Sequence, residues 1–239
     1  FIIVLTKNLM NFKPANIPVN DAQRVKAVKR TGVLDESKTE LYDIYCFLAK
    51  EITGCPVSWT GVIDNEKQVV LARDGFPDEV PMEMPREQTL CQFAIEKTEP
   101  LIINDMTIDY RFKNHPAVIE FGVKFYAAFP VTTSDGYTLG TLCVSDKRVR
   151  RLSKNKIFLL KGLASKLSYQ LEKVLEKYQI KISKYISEIY VENYFQGKRN
   201  EFPVMVYEII NGINENEVKL VPKNTINKGF FEKFFQLFS

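Results

Sequence analysis

The sequence predicts an α+β fold: a central antiparallel sheet flanked by helices, a long C-terminal helix, and a small strand-strand-helix appendage. Three observations carry this. Two alternating runs, PVSWTGVID and KQVVLARDG, are joined by an Asp64-Asn65 turn. A second pair, VKFYAAFPVTT and YTLGTLCVSD, flanks Ser134-Asp135-Gly136, the strongest hairpin signal in the chain. From Leu152 onward an apolar stripe recurs at helical period through Ile189.

In chain order, residues 1–20 carry Pro14 and Pro18 with little periodicity and read as an extended arm. DAQRVKAVKRTGVLD reads as a short helix with Asn20 or Asp21 as cap, Val25 and Val28 on its apolar side and Gly32 as stop. KTELYDIYCFLAKEITG is a second helix, with Leu41, Ile44, Tyr45, Leu48 and Ile52 at helical spacing and Gly54 closing it. After the first strand pair, Pro77, Pro81 and Pro85 forbid regular structure and make residues 76–86 a loop. PREQTLCQFAIEKTEP restarts a helix, PLIIND is a short strand ending at Asp105, and DMTIDYRFKNHPAVIEFG is a connecting region with one or two helical turns.

The long helix is capped by Ser153. Its stripe of Leu160, Leu163, Leu167, Leu171, Val174, Tyr178, Ile182, Ile186 and Ile189 averages about 3.6 residues per step, the period of a straight helix and not of a left-handed supercoil. The first half of the helix is expected to pack on the sheet, which leaves the second half in need of another partner. After Gly197 come an alternating strand, FPVMVYEII, a turn at Asn211-Gly212, a second run, EVKLVPK, and an aromatic helix, GFFEKFFQLF. This tail is too short for a strong core of its own and is expected to dock elsewhere. The organisation is therefore an arm over 1–20, a sheet domain over 21–173, a helical extension over 174–196 and an appendage over 197–239.

Composition narrows the class. With 239 residues, 45% hydrophobic, the chain can bury a full core. No run approaches the roughly 20 apolar residues of a bilayer span, and FIIVL at the start is too short for a signal peptide and lacks its basic flank. The chain opens on Phe1 rather than Met, so a trimmed N-terminus is expected. Cys46, Cys55, Cys91 and Cys143 show no CxxC spacing and the single histidine is His115, which argues against structural zinc and against imidazole-based hydrolysis. Apolar neighbours around most of the cysteines point to reduced, buried thiols and a cytoplasmic setting. Residues 146–199 hold fourteen Lys or Arg against five Asp or Glu, and KRVRR from Lys147 to Arg151 could meet phosphate. Without an aromatic or glycine-rich companion it reads better as a solvated turn, and no nucleic-acid partner is expected.

The order of elements, together with specific residues, resembles the GAF domain of the bacterial type found in sensor kinases and cyclic-dinucleotide enzymes. The residues are Cys91, Ala94 and Ile95; Asp109, Arg111 and Phe112; Phe125, Tyr126, Ala127 and Pro130; and Gly140, Leu142, Cys143, Val144 and Asp146. The resemblance spans about residues 21–173. It implies a GAF-like sheet with a lidded cavity, and signalling through a dimeric helix. Gln92-Phe93 stands where Ala-His is usual in the family, and Ala128 replaces the usual glycine, so larger groups meet the expected cavity.

Trp59, Cys91, Phe93, Arg111, Phe125 and Tyr126 are the candidate pocket residues, and Leu160, Leu163, Leu167, Leu171, Val174 and Tyr178 the candidate dimer helix. Each aromatic is also explained by core packing, Arg111 by a turn contact with Asp109, and His115 by loop bracing. Cys91, at the expected start of a helix, could be activated by the dipole. A related GAF family reduces free methionine sulfoxide with cysteines, which implies a second thiol in the loop from Asp105 to Val123, where this chain has none. The expected function is a non-catalytic sensory or regulatory module that binds a small molecule and signals as a homodimer to a downstream protein or domain. The alternatives are a degenerate module acting as an interaction scaffold, and the cysteine-based reductase. No cofactor is named by the sequence.

Overall fold

The computed structural model of the protein describes residues 12–34, 42–76 and 80–172. The helical extension and appendage expected over 174–239, with Val174 and Tyr178, lie outside the described residues.

The described residues form one six-stranded antiparallel sheet with helices. Helices α1 (Asp21–Arg30) and α2 (Asp43–Thr53) precede strands β1 (Val57–Ile63) and β2 (Lys67–Asp74). Gly54 ends α2 in the left-handed region at φ 69°, donating its N–H to the Lys50 carbonyl at 2.6 Å, as its place in the sequence predicts. Asp64 builds the β1–β2 turn: its Oδ1 accepts from the N–H groups of Glu66 and Lys67, each at 2.7 Å. Strand β3 (Glu83–Pro85) takes three residues at the end of the predicted proline loop. It pairs with β2 at the sheet edge, where Pro85 can be tolerated. Strands β4 (Leu101–Ile103), β5 (Phe125–Thr132) and β6 (Thr138–Asp146) complete the order β3-β2-β1-β6-β5-β4. The single turn α3 (Pro116–Ile119) lies between β4 and β5, and α4 covers residues 154–172. Ser153 caps α4 by accepting from the Lys156 N–H at 3.3 Å.

Strand parity divides the interior in two. On β5, Phe125, Ala127, Phe129 and Val131 face the helices, joined by Leu142 and Val144 of β6. Against them pack Val28, Cys46 and Ala49 from α1 and α2, and Leu160, Ala164, Leu167 and Leu171 from α4. Tyr126 and Ala128 face the other way, with Trp59 and Cys143, toward a lid made from residues 86–100 and 104–124.

The predicted helix over PREQTLCQFAIEKTEP is not formed. Two 3₁₀ turns, Arg86–Gln88 and Cys91–Phe93, take its place. Thr89 is extended at φ −97°, ψ 151°, which interrupts any ladder, and the Gln92 amide donates to the carbonyls of Glu87 at 2.9 Å and Thr89 at 2.8 Å. Those carbonyls are thereby satisfied by a side chain, the competition that disfavours a helix here.

Candidate site beneath the lid

The site grows from the register of three strands. Trp59 on β1 and Ala128 on β5 both pair with Cys143 on β6, so a tryptophan, an alanine and a thiol sit side by side at the centre of the sheet. Tyr126, on the same face of β5 as Ala128, stacks its ring on Trp59 with centroids 5.7 Å apart, while Phe76 meets Trp59 edge-on at 5.1 Å. From the lid, the turn Cys91–Phe93 lowers the Cys91 sulfur onto this floor. Cys91 Sγ lies 3.6 Å from Cys143 Sγ. The Tyr126 hydroxyl donates to Cys91 Sγ at 3.4 Å and is also 3.4 Å from Cys143 Sγ. Cys143 Sγ lies 3.0 Å from Thr141 Oγ1, to which it donates. Phe76 is half-buried and the other groups are buried, Cys91 and Cys143 to 1% and 0% exposure.

Electrostatics separates the two thiols. Burial alone would push Cys91 up, but hydrogen bonds involving Cys143, Thr141, Tyr126 and Trp59 outweigh it and hold Cys91 below the ordinary thiol range. Cys143 is pushed well above the ordinary thiol range, by burial first and then by its sulfur neighbour. Burial likewise raises Tyr126, which stays a neutral phenol able to donate. The agent acting on Cys91 is this set of hydrogen bonds, since Cys91 begins a 3₁₀ turn and not the α-helix whose dipole the sequence suggested.

The remaining candidates divide. Phe93 is half-buried in the lid, edge-on to Phe112 at 4.8 Å and 5.9 Å from Phe12. Arg111 is committed to Asp109, with Nε 3.0 Å from Oδ1 and Nη2 2.7 Å from Oδ2, and its guanidinium lies 4.8 Å from the Phe112 ring. The hydrogen bond to this carboxylate raises Arg111, and the same bond holds Asp109 below the usual range. The turn contact expected between the two therefore accounts for both. Phe125 does not belong to the site: one residue from Tyr126, it points into the helix-side core. His115 braces the loop. Its Nδ1 accepts from the Ala117 N–H at 3.0 Å, which assigns the proton to Nε2, 3.1 Å from the Gln88 carbonyl. Burial pushes it down to about 4, so it is neutral.

The helix stripe is also corrected by the packing. Leu160, Leu167 and Leu171 are buried against the sheet of their own chain and Leu163 is half-buried there. This face cannot also be offered to a second copy. The outward residues of α4 are Phe158, Leu159 and Tyr169, and those of α2 are Ile44, Phe47 and Leu48.

Two contributors escape sequence reasoning. Cys143 supplies the second thiol from β6, whereas the resemblance points only to the loop; continuing strand parity around the Ser134-Asp135-Gly136 hairpin would place it beside Ala128. Phe12, near the end of the arm, packs edge-on to His115 at 4.6 Å, and the Ala15 N–H donates to Gln92 Oε1 at 3.0 Å, so the arm closes over the lid. Nothing in its local pattern signals that.

Among the described residues, no helix is long and apolar enough to cross a membrane, and no group of three or more His, Cys, Asp or Glu is placed to hold a metal ion. A cyclic di-GMP phosphodiesterase of Pseudomonas aeruginosa is 28% identical over 149 residues, which cover 62% of this chain and 25% of that protein. The chain thus spans about a quarter of the length of that relative. The blue-light absorbing form of the Thermosynechococcus elongatus PixJ GAF-domain superposes with a TM-score of 0.51 at 15% identity, over 70% of this chain and 96% of that one, a likeness of fold. The family model described as GAF domain matches residues 35–171. With more than half its length inside that match and the sheet order and lid described above, the chain belongs to the GAF domain family, whose members are typically sensory and regulatory modules.

Proposed function

We propose that the chain is a non-catalytic regulatory GAF module whose site beneath the lid is filled by its own side chains and which works through protein contacts. Of the two non-catalytic readings, small-molecule sensor and interaction scaffold, one observation supports the second. Trp59, Tyr126, Cys91 and Cys143 are in mutual contact where a ligand would rest, and Phe93 packs against the same cluster. The departures at Gln92-Phe93 and Ala128 support the same reading, since Gln92 is tied to backbone and to the arm, while Ala128 lines the packed floor.

The contact surface we propose is the outer side of α2 and α4. The Tyr45 hydroxyl is 3.4 Å from the Lys166 carbonyl and Lys156 Nζ is 3.2 Å from the Thr53 carbonyl, which sets the two helices side by side and antiparallel. Ile44, Phe47, Leu48, Phe158, Leu159 and Tyr169 stand exposed on them. A second copy of the chain is the proposed occupant, and a downstream signalling protein or domain receives the output. Four free cysteines support a reducing, cytoplasmic setting.

The reductase reading gains the second thiol it needed, 3.6 Å from Cys91, but the space around that thiol pair is occupied by Trp59 and Tyr126. Incubation with free methionine sulfoxide and a dithiol reductant is therefore expected to give no turnover above buffer. Turnover that disappears in Cys91→Ser would replace the non-catalytic reading with the enzymatic one.

A further inference from the structure

We propose that Cys91 and Cys143 form a redox site, in which a small hydroperoxide converts the two thiols to a disulfide bridging the lid to the centre of the sheet, and a small thiol reductant reverses it. The inference rests on the self-filled reading of the site, because a bound ligand would separate the two sulfurs. The sulfurs already touch at 3.6 Å, so bond formation at about 2.0 Å needs an approach of about 1.5 Å. Cys143 is held by ladders to both β1 and β5, but Cys91 sits on a 3₁₀ turn outside the sheet, and the approach falls to the turn. Cys46 and Cys55, by contrast, lie on the helix side, and burial pushes Cys46 up to about 12 and raises Cys55. Peroxide reaches the buried pair by local opening of the lid, whose turns are held by short-range backbone bonds and a few side-chain bonds and not by a continuous ladder.

The chemistry balances with peroxide as the oxidant. The Cys91 sulfur, having given up its proton, attacks one peroxide oxygen; the S–O bond forms, the O–O bond breaks, and the alkoxide or hydroxide leaves and takes up that proton. Cys143 then attacks the sulfur of the sulfenic acid. The S–S bond forms, the S–O bond breaks, and hydroxide departs with the Cys143 proton as water. In sum the two thiols lose two electrons and two protons, and the hydroperoxide becomes an alcohol (water, for hydrogen peroxide) and water. Cys91, carried on the lid turn that opens toward peroxide and accepting the Tyr126 hydroxyl bond, is the attacking sulfur, and Cys143, fixed in the sheet between β1 and β5, the resolving one.

The movement has a route outward. Gln92 and Phe93 follow Cys91 in the same turn, and they seat the arm through Ala15 and Phe12 just before α1. Drawing Cys91 toward β6 shifts that seat.

The test treats the full chain with hydrogen peroxide, alkylates it under denaturing conditions and maps the peptides. Two of the four thiols are expected to be lost together as a Cys91–Cys143 cross-linked peptide, with Cys46 and Cys55 fully alkylated. Emission from Trp59, the single tryptophan, is expected to fall as the disulfide forms beside it and to recover with dithiothreitol. In Cys143→Ser, Cys91 should stop at the sulfenic acid and be trapped by a 1,3-dione probe; if that variant does not fold, the wild-type map decides. Four alkylated thiols after peroxide, first oxidation at Cys46 or Cys55, or overoxidised Cys91 beside an alkylated Cys143 would overturn the proposal. Failure of the non-catalytic reading shows separately, as methionine sulfoxide turnover.

Discussion

Arg24→Met is expected to destabilise the module by about 3 kcal/mol or more, because it strips partners from several buried acceptors at once. Arg24 is 1% exposed. Its guanidinium donates to Asp21 Oδ1 at 2.7 Å, to the Asp64 carbonyl at 3.0 Å, to the Thr138 carbonyl at 3.4 Å, and to the Ile63 carbonyl. One side chain therefore ties α1 to the end of β1 and the start of β6. Asp21 keeps a second partner in Arg86, whose Nη1 and Nη2 lie 2.7 and 3.0 Å from its two oxygens, so the loss is mainly of the carbonyl contacts. Lysine should not rescue, since one ammonium cannot reproduce a planar fork aimed in these directions. Burial opposes ionisation of Asp21, yet hydrogen bonds from Arg86 and Arg24 hold it below the usual carboxylate range. Its contribution is then complete above the ordinary carboxylate pKa and is lost as the pH falls through the depressed one. Urea unfolding midpoints check the variant; a midpoint equivalent to less than about 1 kcal/mol of loss would contradict the clamp.

Gly140→Ala should be as severe, for a steric reason. A Cβ at Gly140 would lie 1.9 Å from the Gly61 carbonyl oxygen and 2.7 Å from Val62 Cα, both backbone atoms of the neighbouring strand. No rotamer relieves such a clash, so β6 would have to separate from β1 in the middle of the sheet. The expected result is a loss of about 3 kcal/mol or more, read as collapse of the cooperative melt. Gly162 in α4 is the matched control: a methyl added there would meet nothing within 4 Å, so Gly162→Ala should be neutral or stabilising by about 0.5–1 kcal/mol. A folded Gly140→Ala protein with a wild-type melt would show that the β1–β6 register is wrong.

What the sequence makes legible is what local chemistry decides. The Asp64 turn, the left-handed Gly54, the Ser153 cap and the Ser134-Asp135-Gly136 hairpin each rest on residues within a few positions of one another, and all are found where expected. The segment around Cys91 misleads because its apolar spacing suits a helix while Thr89 and Gln92 bind nearby backbone and stop one from forming. Tyr126 belongs to the site and Phe125 does not, since adjacent strand residues face opposite ways and the two cannot share one pocket. The stripe on α4 has the right period, but period does not say whether a face meets its own sheet or another chain, and Leu160, Leu167 and Leu171 meet the sheet. The contact of Cys91 with Cys143 spans 52 residues and depends on strand register, which no local pattern encodes.

Native mass spectrometry of the protein as purified, set against its denatured mass, tests most directly whether the space beneath the lid is filled by Trp59, Tyr126 and the two thiols. The account predicts a native ion equal to two polypeptide masses with nothing added. An ion carrying a retained small molecule that denaturation releases would contradict it, and would make the site a receptor for that molecule.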